Sequence, residues 1–93
     1  MDEFTNRYAK RGAMVRFEYM ICTSQMMRIT FVNGHWQGDL PPDTPGALPS
    51  CPDLWEFLQR VGNSGWELVT VTTNDATDAE SILSTLYLKR EKV

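Results

Sequence analysis

Few side chains in this 93-residue chain could do chemistry, and they are scattered. His35 is the lone histidine, Cys22 and Cys51 are the only thiols, and Ser24 and Ser50 are the serines near them in sequence. A nucleophile, base and orienter set would have to bring His35 beside one of these four groups. Cys51 stands just ahead of an apolar helical stripe, and a helix N-terminus lowers a thiol's pKa. His35 follows Asn33-Gly34, a tight-turn signal after which a solvated imidazole is the ordinary outcome. There is no Cys-x-x-Cys, so two thiols and one histidine lack zinc-ligand spacing. The carboxylate pairs Asp39/Asp43 and Asp75/Asp78 lie in loop-like sequence without the oxygen-ligand spacing of a calcium site. The sequence carries no Gly-x-x-x-x-Gly-Lys phosphate loop. No catalytic residue, metal site or cofactor is therefore expected, and the chain reads as a non-enzyme.

Composition narrows the class further. A 42% hydrophobic fraction with three Trp, three Tyr and four Phe speaks for a folded core, and 10.7 kDa allows one domain. No apolar run approaches a membrane span, and the N-terminal residues lack an apolar signal core, so a cytoplasmic location is expected. In that compartment the two cysteines are expected as free thiols. The net charge is −3, with basic groups early (Arg7, Lys10, Arg11, Arg16, Arg28), acidic groups through residues 35–88, and Lys89, Arg90 and Lys92 late. These cations are too few and too mixed with acid for a phosphate-binding surface, so nucleic acid is not an expected partner.

The chain then resolves into elements. Residues 1–13 form a polar leader whose Phe4 and Tyr8 are four apart and can share one helical face. Residues 14–93 are the domain. From Met14 to Val32 the period is two, with Val15, Phe17, Tyr19 and Ile21, then Ile29 and Phe31, on one face; Thr23-Ser24-Gln25 separates two strands. Asn33-Gly34 predicts a primed turn into a short return strand at 35–37. All five prolines fall in residues 38–52, a long irregular loop. Ser50 with Asp53 resembles a capping box, and Leu54, Phe57, Leu58 and Val61 make one helical stripe ending at Gly62. Trp55 lies off that stripe. Residues 66–73 are β-branched and strand-like, whereas 81–90 suit either a strand or a helix face.

The run from Leu54 through Gly62-Asn63-Ser64-Gly65-Trp66-Glu67-Leu68-Val69-Thr70-Val71, with the closing Leu86-Tyr87-Leu88-Lys89-Arg90, resembles the small bacterial proteins of domain-of-unknown-function family 4177. The resemblance covers roughly residues 14–32 and 53–90. It implies an α+β fold, an antiparallel-rich sheet of about four strands with one helix packed on one face (ββαββ), and makes 81–90 a strand. The family has no assigned activity, so no functional residue carries over. The leader and the proline-rich loop depart from its pattern.

The expected core is Val15, Phe17, Tyr19, Ile21, Ile29, Phe31, Leu54, Leu58, Val61, Trp66 and Leu68. The opposite sheet face would then carry Met14, Met20, Cys22, Met26, Val32, Val69, Val71 and either Leu83 or Tyr87, too apolar for a face left in water. The functional expectation is a non-catalytic interaction and assembly module, self-associating as a dimer or serving as an accessory subunit of a larger complex. Its contacts would be Met20, Val69, Val71 and Tyr87 on the sheet and Phe4 and Tyr8 on the leader. The alternative is a small-ligand or nucleotide binder with a pocket between the proline-rich loop and the helix, lined by Phe31, Trp36 and Trp55.

Overall fold

The computed structural model describes residues 14–93; the leader, with Phe4 and Tyr8, lies outside the described residues. Strands β1 (Arg16–Gln25), β2 (Arg28–Val32) and β3 (His35–Trp36) precede helix α1 (Leu54–Asn63). Strand β4 (Glu67–Thr73), a 3-10 turn (Ala79–Ser81) and β5 (Leu83–Lys92) follow. One five-stranded antiparallel sheet results, in the order β3-β2-β1-β5-β4. The fold is α+β as expected. The return strand β3 makes the sheet five-stranded and the order βββαββ rather than ββαββ.

Both hairpin turns have two central residues, and both run through left-handed backbone. Asn33 and Gly34 have φ of 50° and 83°, as an Asn-Gly primed turn requires. The Asn33 side chain accepts from Ile21 N–H at 2.8 Å and its own N–H donates to Ile21 O at 2.7 Å. The β1–β2 turn falls at Met26-Met27 rather than at Thr23-Ser24-Gln25. Its two methionines have φ of 51° and 65°, a region that penalises a Cβ.

The helix packs on the face opposite to the one expected. Cys22, Ile29, Leu86 and Leu88 are almost fully buried with Phe57 and Met20, and Leu54, Leu58, Val61, Val32 and Trp66 pack around them. Tyr19 and Ile21, expected in the core, are 66% and 47% exposed on the other face, and Phe17 shares that face. The reason lies in where the helix sits. Under it, β1 offers Met20, Cys22 and Ser24, small or flexible side chains that let a helix approach closely. Arg16 and Glu18 share that parity but lie past the helix, where Glu18 pairs with Arg90.

A bulge resolves β2. Cys22 pairs with Val32 and Thr23 with Phe31, but Ser24 pairs with Ile29, so Thr30 is the extra residue. Ile29 therefore goes under the helix while Phe31, expected beside it in the core, goes to the far face and is 37% exposed. Thr30 is buried, with its hydroxyl 2.8 Å from that of Thr23.

The helix is fastened at both ends. Ile29 N–H donates to Pro52 O and Leu54 N–H to Met27 O, each at 2.9 Å, and Arg28 Nη1 donates to Cys51 O at 3.0 Å. The N-cap is Asp53 rather than Ser50, its carboxylate accepting from Glu56 N–H at 3.1 Å. At the other end Gly62 lies inside the helix, and Gly65 is the left-handed residue with φ of 96°. Trp66 N–H returns to Val61 O and Gly65 N–H to Gly62 O, a Schellman stop. Arg90 locks this end: its guanidinium lies 4.4 Å over the Trp66 ring, donates to Ser64 O at 3.0 Å and meets Glu18 Oε2 at 2.7 Å. The glycine–tryptophan run and the closing Arg90 are thus one packed unit.

The Met26-Met27 turn generates a direct test. M26N/M27G supplies the residues a primed turn favours, and both methionines are at least half exposed, so little packing is lost. The variant is expected to gain about 1–2 kcal/mol, raising Tm by about 4–8 °C per kcal/mol in thermal unfolding.

Candidate functional site

The site is the sheet face that the helix leaves open. The strand register places Phe17, Tyr19, Ile21 and Thr23 of β1 on it, with Tyr87 and Lys89 of β5, Phe31 of β2 and Trp36 of β3. Lys89 Nζ lies 4.6 Å over the Phe17 ring, so its charge is held above an aromatic floor. Phe31 and Trp36 meet edge to face with centroids 5.4 Å apart.

The proline-rich loop builds a wall on this face. Trp36 Nε1 donates to Leu40 O at 2.7 Å, and Gly38 is required there because a Cβ would meet the indole at 2.8 Å. Loop hydrogen bonds shape the rest: Thr44 Oγ1 to Pro41 O at 2.6 Å, Ala47 N–H to Thr44 O at 3.0 Å, and Ser50 Oγ to Ala47 O at 2.6 Å. Ala47 and Cys51 are buried beneath it. Between wall and sheet runs a groove of about 740 Å³, floored by Thr23, Gln25, Phe31, Trp36 and Leu83 and walled by Pro42, Asp43, Thr44, Ala47 and Leu48. Among the described residues Asp43 carries the one formal charge of this lining, and its φ is 71°.

Several expected site residues are redistributed. Phe31 and Trp36 line the groove, but Trp55 is 66% exposed on the helix and takes no part, because the loop folds onto the sheet face that α1 does not occupy. Met20 is buried under the helix, so it cannot contribute to an open face. Val71 shares the helix face by its pairing with Leu86, and Val69 sits at a second bulge, between Leu68 and Thr70. Only Tyr87 of the four expected sheet contacts lies on the uncovered face. Tyr19 and Ile21 belong there and were assigned to the core because their parity is the more apolar one.

The nucleophile candidates fare differently. Cys22 and Cys51 are free thiols, both buried. Burial pushes the Cys22 thiol up to about 11. Burial also raises Cys51; nearby Arg28 opposes this and Asp39 adds to it. Cys51 Sγ points to Ala47 O at 3.6 Å, while His35 is exposed on β3. Asp78 caps the 3-10 turn by accepting from Ser81 N–H at 3.0 Å. Among the described residues no His, Cys, Asp or Glu cluster could hold a metal ion, and no helix is long and apolar enough to cross a membrane.

Because the folded chain holds the Cys22 proton more tightly than the unfolded chain, its contribution to stability is complete below pH 9 and lost as pH rises toward 11. Urea unfolding across that range is expected to show falling stability, and a C22A variant a weaker fall. Both native thiols are expected to react with a disulfide reagent far more slowly than in the unfolded chain.

No family model, curated protein or solved structure matches this chain.

Proposed function

We propose that the chain is a non-catalytic protein-interaction module, an accessory subunit that docks a protein partner on the uncovered sheet face. A bacterial source and a cytoplasmic location belong to the same proposal, through the resemblance to family 4177. The observation that carries it is the exposure of Tyr19, Ile21, Phe31 and Leu83 at 66%, 47%, 37% and 47% on one face beside a preformed groove. Aromatic and aliphatic side chains gathered this way lower their free energy by burial against a partner. Asp43 as the charged group of the groove suits a partner segment that brings a basic residue with its apolar ones.

Tagged full-length chain purified from native lysate is the test. Y19S/I21K is expected to keep the fold within about 1 kcal/mol, since both side chains are largely exposed, and to weaken a stoichiometric partner by about 30-fold or more. W55A, on the far side of the helix, is expected to leave binding intact. A partner retained by Y19S/I21K would overturn the proposal.

The second reading places a small ligand in the same groove. Its 740 Å³ volume fits a drug-sized molecule, and the Phe31–Trp36 pair suits a flat ring. With Asp43 in the lining and no basic residue there among the described residues, a neutral or cationic ligand fits better than a nucleotide. Thermal shift against metabolite pools discriminates, because a ligand at 100 times its Kd adds about 2.7 kcal/mol.

A further inference from the structure

The two edges of the sheet are unequal. β3, at one edge, has two residues, whereas β4, at the other, has seven, and all seven are exposed. Edge strands are usually blunted by lysine, proline, bulges or brevity. Beyond its charged first residue Glu67, β4 reads Leu-Val-Thr-Val-Thr-Thr, with no charge and no proline. Its bulge lies between Leu68 and Thr70, which leaves Thr70–Thr73 in regular register with β5.

The backbone on that regular stretch is oriented. Asn74 N–H donates inward to Leu83 O at 3.0 Å. Antiparallel alternation then turns the peptide groups of Thr70 and Thr72 toward β5 and those of Val71 and Thr73 outward. The helix face above this edge is also unfinished. Leu68 and Val71 point to the helix side yet remain 44% and 45% exposed, because α1 is fastened over β2 at the other side of the sheet.

We propose that β4 pairs antiparallel with β4 of a second copy, on a two-fold axis at Thr72 that sets Val71 opposite the partner's Thr73. This surface is separate from the docking face proposed above, and either can fail without the other. The register uses only unbulged residues, forms reciprocal hydrogen bonds at both Val71–Thr73 pairs, and keeps each side chain on its own face. It also places no like charges across the pair. The apolar strips at Leu68 and Val71 of the two copies become neighbours between the two helices. Association closes at two copies, since a head-to-tail β4-to-β3 contact would have only two residues to pair with. The contact is small, so a micromolar dimer is expected.

Sedimentation of the full chain between about 1 μM and 1 mM tests this. The wild type is expected to shift from monomer to dimer, with the Val71 and Thr73 amides gaining exchange protection as concentration rises. V71K/T73K sets like charges opposite one another and is expected to stay monomeric across the range. V71K/T73E sets opposite charges across the same pairs and is expected to restore the dimer. A wild type that stays monomeric, a dimer without protection at Val71 and Thr73, or equal loss in both double variants would overturn the proposal. The amide measurement on the wild type decides the matter even where a variant fails to fold.

Discussion

One short helix cannot roof five strands. Ten residues give a helix about 15 Å long and about 10 Å across, enough to shield two or three strands at about 4.8 Å spacing. Which strands it shields is decided by the hydrogen bonds that tie Pro52 O to Ile29 of β2 and Leu54 N–H to Met27 of the turn before it, and by the Arg90 clasp at its far end. With those anchors the helix lies over β1, β2 and the near side of β5 and leaves β4 bare. The exposure of Leu68 and Val71 on the helix side of β4 is a consequence of that placement. A longer helix, or one docked centrally, would have covered Leu68 and Val71 of β4.

Most elements were legible in the sequence: the Asn33-Gly34 turn, the 54–61 stripe and the strand after Trp66 form as read, while the period-two stretch forms two strands whose turn lies at Met26-Met27 and not at 23–25. The facing was not, for a reason visible at β1. Both parities carry apolar residues there, and the choice between aromatic Phe17–Tyr19–Ile21 and smaller Met20–Cys22 depends on how closely a helix can approach, which no one-strand pattern encodes. The two bulges add a second loss, since an extra residue reverses parity without a glycine or proline to mark it. Thr30 and Val69 are ordinary strand residues. The Phe31–Trp36 part of the groove was legible because the two rings flank a two-residue turn, but Trp55 was drawn in by assuming that loop and helix share a face.

The proline-rich loop shows how an irregular segment becomes a defined wall. Proline limits what the unfolded loop can sample, and the serine, threonine and indole donors close short rings on nearby carbonyls. Gly38 is the tightest point, for the Trp36 ring passes where a side chain would stand. This order lets the groove exist before anything enters it, so binding there would not have to meet the entropy of folding the loop.

The pairing of β1 with β5 has a consequence for how the chain comes into being. The strand nearest the start of the domain is hydrogen-bonded along its whole length to the last one, Arg16 against Lys92 and Gln25 against Leu83. During synthesis the β1–β2 hairpin and the helix emerge with one flank of β1 unpaired and Leu86 and Leu88 not yet made. The middle of the sheet closes only once β5 has been made, so this domain folds when its last strand is available rather than strand by strand. Until then one flank of β1 is itself an open edge, a template for pairing with another chain.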